Sequence, residues 1–122
     1  MTILYVEDDP EDQDIFREAI EVVAPHTTCF FARNGNDAFK VISKIVVEPD
    51  YIFLDINMPE MNGKEFLKKL KATPGLRNIP VIIYSTSNSQ RDIDECKSLG
   101  AVEFITKPSD FTLICQTLKR FL

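Results

Sequence analysis

Tyr51-Ile52-Phe53-Leu54-Asp55 is an apolar run that ends on a carboxylate, and Ile3-Leu4-Tyr5-Val6-Glu7-Asp8 repeats the arrangement. Four consecutive apolar residues without polar alternation describe a strand covered on both faces, the signature of a parallel sheet between helices. A carboxylate at the mouth of such a strand needs a partner. If the two strands lie side by side, Glu7, Asp8 and Asp55 converge on one edge of the sheet, and a divalent cation relieves their repulsion.

Working outward, apolar runs of strand length alternate five times with segments of helical period. Strands are expected at Ile3 to Val6, Thr28 to Ala32, Tyr51 to Leu54, Val81 to Tyr84 and Val102 to Ile105. Ile15, Phe16, Ala19, Ile20 and Val23 form one stripe of a first helix, with Asp9 suited to its N-cap, Pro10 to its first turn and Pro25 to its end. Ala38, Phe39, Ile42, Ile45 and Val46 mark a second helix after Asn34-Gly35, and Phe66, Leu67 and Leu70 a third before Pro74-Gly75. A fourth should start near Ser87 to Ser89 and stop at Gly100 with Ile93, Cys96 and Leu99 inward, and a fifth should run from about Pro108 to Phe121 on Phe111, Ile114 and Leu118. Right-handed crossovers turn this βαβαβαβαβα order into a doubly wound sheet. Its functional crevice lies beyond the carboxyl ends of the strands, at a topological switch point.

The 122 residues, 44% hydrophobic, suit one domain with a real core. No signal peptide or membrane span is visible, so the default address is cytoplasmic. Cys29, Cys96 and Cys115 are odd in number and widely spaced, which reads as reduced core thiols rather than disulfides or a zinc site. A net charge of -5 has the wrong sign for neutralising nucleic-acid phosphates or anionic lipid.

Every strand bordering the crevice delivers a polar group past its end: Glu7 and Asp8, Asp55, Ser85 with Thr86, Thr106 with Lys107. Taken singly, each has a plain explanation. An Asp after a strand is usually a turn former, a Ser-Thr-Ser run a loop, a Lys before a Pro a surface lysine, and an acidic triplet a solvated helix start. Together they are the parts of a phosphoryl site, with carboxylates for Mg²⁺, a lysine and a hydroxyl for phosphoryl oxygens, and Asp55 left as nucleophile.

In these motifs, Val6-Glu7-Asp8-Asp9-Pro10, Leu54-Asp55-Ile56-Asn57-Met58-Pro59-Glu60-Met61-Asn62-Gly63, Tyr84-Ser85-Thr86 and Thr106-Lys107-Pro108, the chain resembles the receiver domains of two-component response regulators over essentially its whole length. The resemblance implies a CheY-like (βα)5 fold with strand order 2-1-3-4-5, and a single receiver domain over residues 1-122 with no output domain. It also implies that Asp55 takes a phosphoryl group from a phosphohistidine of a histidine kinase or phosphotransfer protein. Asp8 would bind Mg²⁺ directly, Glu7 mainly through water, and Asp55 and the Asn57 carbonyl would complete the ligands. Ser85, Thr86, Lys107 and the Ile56-Asn57 segment would bind the phosphoryl group, with Ser85 as switch hydroxyl and the Lys107-Pro108 bond cis. Phe104 matches the switch aromatic, although the end of the fifth strand would bury a phenylalanine in any case.

Ser85 stands where threonine is more usual, and Thr86 where alanine is frequent, so its bulk would restrict attacking water. By the same resemblance, Asn57 and Ser87 occupy the two positions that most tune dephosphorylation in that family. Lys64, Lys68, Lys69 and Lys71 read as a solvated face, His26 as exposed and idle, and Pro10, Asp12 and Gln13 as a kinase contact. The product would be a signalling state rather than released product: a charge switch read out by a protein partner through helix four, strand five and helix five, as monomer or phosphorylation-promoted homodimer. Two rivals are a small Mg²⁺-dependent phosphohydrolase, which lacks an acid/base carboxylate because Asn57 follows Asp55 by two residues, and a pseudo-receiver that binds partners without phosphorylation.

Overall fold

The structure, a computed structural model, describes residues 1-58 and 61-122; Pro59 and Glu60 of the Asp55 to Gly63 motif lie outside the described residues. Strands β1 (Thr2–Val6), β2 (Thr28–Ala32), β3 (Tyr51–Leu54), β4 (Val81–Ser85) and β5 (Glu103–Thr106) alternate with helices α1 (Pro10–Val23), α2 (Gly35–Lys44), α3 (Gly63–Lys71), α4 (Gln90–Ser98) and α5 (Phe111–Lys119). The strands form one parallel sheet in the order β2-β1-β3-β4-β5. This is the expected topology, and its switch point falls between β1 and β3, where Val6 is in register with Leu54.

Strand alternation sorts the core into two layers. Leu4, Val6, Ile52, Leu54, Val81 and Ile83 pack with Ala38, Phe66, Leu67, Leu70 and Cys96 under α2, α3 and α4. Ile3, Tyr5, Phe53, Ile82 and Tyr84 pack with Phe16, Ala19, Ile20, Ile114 and Leu118 under α1 and α5. Tyr5 stacks on Phe16 with ring centroids 4.1 Å apart, and Tyr84 meets both edge-on. Cys96 is buried and Cys29 and Cys115 half-buried, all as free thiols.

Side-chain caps set where the helices start. Asp9, Asn34, Asn62, Ser89 and Asp110 each accept a backbone N–H from the first turn of α1 to α5 in turn. Three expectations are corrected at element ends. Asp110 starts α5 at Phe111 rather than near Pro108, which leaves Phe111 in the first turn and 39% exposed instead of inward. Ile45 caps the end of α2, so Val46 lies past the helix and is wholly exposed. Val102 donates its N–H to the Val81 carbonyl at the turn into β5, and its side chain is exposed.

Candidate functional site

The carboxyl ends of β1, β3, β4 and β5 build the crevice. Backbone bonds set the exits of the two acidic strands: the Glu7 N–H donates to Ala32 O at 2.9 Å and the Asp55 N–H to Val6 O at 3.1 Å. Glu7 and Asp55 are thereby buried while Asp8 stays exposed. One carboxylate oxygen from each of Glu7, Asp8 and Asp55 lies within 4.8 Å of the others, as do oxygens of Glu7, Asp9 and Asp12. The Asn57 N–H donates to Asp55 Oδ1 at 3.3 Å from an exposed residue, and Ile56 is buried behind it.

On the other side, Ser85 ends β4 fully buried, and its Oγ accepts the Ser87 N–H at 3.4 Å. The Lys107 N–H donates to Ser85 O at 2.7 Å, tying the ends of β4 and β5. Lys107 Nζ then reaches across the crevice to Asp12 Oδ2 at 2.9 Å and Glu7 Oε1 at 3.2 Å, with Asp55 Oδ2 at 3.7 Å. The Lys107-Pro108 peptide is trans, against expectation. Trans is the lower-energy isomer by ~0.5-1 kcal/mol, and from it the lysine already meets its acidic partners. Thr86 is exposed at the rim, and Phe104 is half-buried against the α2-α3-α4 layer.

The response regulator receiver domain family matches residues 3–119. The chain belongs to that family. The receiver domain is 31% identical over 121 residues to the polar-differentiation response regulator DivK of Brucella anthropi, spanning 99% of this chain and 95% of that protein. It is 48% identical over 80 residues to a protein-glutamate methylesterase/protein-glutamine glutaminase of Bacillus licheniformis, but the match spans 64% of this chain and only 21% of that protein. Among solved structures, the phosphorylated cyanobacterial phytochrome response regulator RcpA superposes with a TM-score of 0.88 at 30% identity, over 98% of this chain and 89% of that one. The receiver domain's role is that of a phosphorylation-dependent signalling switch in two-component systems.

The acidic cluster of the receiver domain is short of positive charge. Glu7 Oε2 is buried with no hydrogen-bond partner among the described residues. Burial, then the Asp55 carboxylate beside it, pushes the Glu7 carboxyl up to about 9, with Lys107 opposing. Burial by itself would lower the Lys107 ammonium, but its bond to Asp12 and the charges of Asp55, Glu7 and Asp12 outweigh burial and raise it. An orphaned carboxylate oxygen inside a three-carboxylate cluster is the donor set a hard divalent cation fits.

A pH dependence follows for the metal-free protein. Because the folded-state value of Glu7 lies above the unfolded one of 4.5, its contribution to stability is complete below pH 4.5 and is lost as pH rises through about 9. Asp92 and Glu95, held low chiefly by hydrogen bonds from Lys64, act only in acid and do not obscure this window. In chelator at pH 8, Glu7→Gln should therefore stabilise the fold by ~1-3 kcal/mol, the scale of an uncompensated buried polar group. Urea unfolding of both proteins at pH 5 and pH 8 measures it; an equal gap at both pH values would refute the assignment.

Several contacts were not legible in the sequence. Lys64, read as part of a solvated face, pairs with Asp92 at 2.7 Å and Glu95 at 2.5 Å, joining α3 to α4. Lys71 donates to the carbonyls of Arg77 and Ile79, both at 3.0 Å. Ser87 Oγ donates to Asp92 Oδ2 at 2.5 Å and its carbonyl accepts Thr106 Oγ1 at 2.9 Å, so the loop after Ser85 is held from two sides. Lys68 and Lys69 are exposed as expected, as is His26. No described helix is long and apolar enough to cross a membrane.

Proposed function

We propose that Asp55 is the phosphoacceptor of this receiver domain and that Glu7, Asp8, Asp55 and the Asn57 carbonyl hold Mg²⁺ beside it. The observation that carries the reading is the convergence of Glu7, Asp8, Asp55 and the Lys107 ammonium at one sheet edge, with Glu7 Oε2 unpartnered among the described residues. The Asp55 carboxylate attacks the phosphorus of a phosphohistidine; the new O–P bond forms as the N–P bond breaks, and the leaving imidazole takes up a proton. When bound, the cation neutralises charge on the transferring phosphoryl oxygens. Lys107 supplies a second positive charge, and Ser85 turns its hydroxyl from the Ser87 N–H onto a phosphoryl oxygen, with Thr86 and the Ile56-Asn57 segment closing the pocket.

The aspartyl phosphate adds negative charge where one carboxylate stood. Drawing Ser85 inward pulls on the Ser87 loop and through Asp92 and Thr106 on α4 and β5, with Phe104 following. The partners fitting this reading are a histidine kinase or phosphotransfer protein upstream and a protein reader on the α4-β5-α5 face, in the cytoplasm. That face carries exposed Val102, Phe111 and Leu113.

Incubation with acetyl phosphate and Mg²⁺ should add one phosphoryl group by intact mass and shift backbone amide resonances of Ser87 to Ser98 and Glu103 to Thr106. Chelator should prevent both changes. An unchanged mass in the presence of Mg²⁺ would overturn the reading.

A further inference from the structure

Lys107 has one positive charge and more carboxylates around it than it can serve. Its shortest bond goes not to Glu7 or Asp55 but to Asp12, in the first turn of α1, at 2.9 Å. Asp55 Oδ2, at 3.7 Å, is beyond hydrogen-bonding distance. The two carboxylates that do hold the ammonium differ in solvent access: the side chain of Glu7 is 2% exposed and that of Asp12 34%. Asp12 and Lys107 also share the wall of a cavity of about 280 Å³ with Tyr5, Phe16, Tyr84 and Thr86. Water can therefore solvate Asp12 where it stands once the ammonium leaves, whereas Glu7 has no such recourse.

We propose that Asp12 is a positioning residue for phosphoryl acceptance: it holds Lys107 away from Asp55 in the resting state and is the partner the lysine gives up when a phosphoryl group arrives. The inference rests on Asp55 being the acceptor. An ammonium has three donors but one charge to share, and a phosphoryl group with about two negative charges outbids a partly hydrated carboxylate. The bond to Asp12 is broken in the process, so Asp12 sets part of the cost of switching on. α1 contributes the residue through its register alone, since Asp12 follows the Asp9 cap by three positions and points back into the crevice rather than to the helix terminus.

The test titrates beryllofluoride, a mimic of the aspartyl phosphate, into wild type, Asp12→Asn and Asp12→Glu at saturating Mg²⁺, and follows the Lys107 side-chain amine by NMR before ligand is added. Asp12→Asn should bind beryllofluoride ~3-10-fold more tightly, between the worth of an exposed ion pair and of a buried charged hydrogen bond. Asp12→Glu should return close to wild type. The Lys107 resonance of the ligand-free protein should move in Asp12→Asn and be restored in Asp12→Glu, a readout that a general change in folding does not produce. In a Lys107→Gln background, Asp12→Asn should leave beryllofluoride affinity unchanged, because the effect runs through the lysine. Unchanged or weaker binding by Asp12→Asn, an unmoved Lys107 resonance, or the same gain without Lys107 overturns the inference while the acceptor reading stands. Failure of the wild type itself to take up beryllofluoride overturns the acceptor reading and this inference with it.

Discussion

Asp55→Asn should abolish phosphoryl uptake from acetyl phosphate while leaving the protein folded. The side chain is buried at the exit of β3, where its backbone N–H is fixed to Val6 O at 3.1 Å and its Oδ1 accepts the Asn57 N–H at 3.3 Å. An amide oxygen preserves that bond and the shape of the site but cannot attack phosphorus. Removing the charge also relieves Glu7, whose carboxyl is pushed up in part by Asp55. Thermal stability in chelator should therefore rise slightly, by up to ~1 kcal/mol. Intact mass after incubation with acetyl phosphate and Mg²⁺, with circular dichroism on the same samples, reads both effects. Undiminished labelling of the variant would place the acceptor elsewhere.

Gly63→Ala should be the most disruptive single-methyl change near the site. Gly63 opens α3 with its N–H on Ile56 O at 3.2 Å, so the helix start lies directly against the exit of β3. A Cβ there would sit 2.6 Å from Ile56 Cα and nearer still to the Asp55 carbonyl oxygen, and both are backbone that cannot rotate away. Relief requires β3 and α3 to separate, which costs ~2-4 kcal/mol and moves Asp55 itself. Gly75→Ala is the control: its φ of +87° makes a side chain strained, but no atom of the described residues lies within 4 Å. That variant should lose ~1-2 kcal/mol and label normally. Comparing the denaturation midpoints and acetyl phosphate labelling rates of the two variants decides the matter; if Gly63→Ala matched Gly75→Ala in both, the close approach would not matter.

The elements were legible because their signals are local. Apolar runs mark β1 to β4 and the Phe104-Ile105 centre of β5, and the stripes of α1 and α3 lie where period and caps place them. Two misreadings of the core fall where an apolar residue continues a stripe past a helix boundary, and a third, Val102, falls at the turn into β5. Val46 and Phe111 fit a helical period, but Ile45 ends α2 and Asp110 starts α5, and a periodic residue beyond the packed face has nothing to pack against. The strand-end carboxylates, Ser85 and Lys107 were visible as candidates because a doubly wound sheet sends every strand end to the same edge. Asp12 was visible only as part of a kinase contact in the first turn of α1, since nothing near it in sequence announces a lysine 95 positions away.

A five-strand α/β sheet with acids, a hydroxyl and a lysine at its strand ends can be read from the residues in order, because periodicity, caps and strand exits are properties of a few neighbouring residues. The folded chain alone sets how those charges pair. It gives Lys107 to Asp12 and Glu7 with Asp55 farther away, leaves one oxygen of Glu7 unmatched, and draws Lys64 into a bridge between α3 and α4. Pairing strength depends on through-space distance and on access to water, and neither is written in the order of the residues.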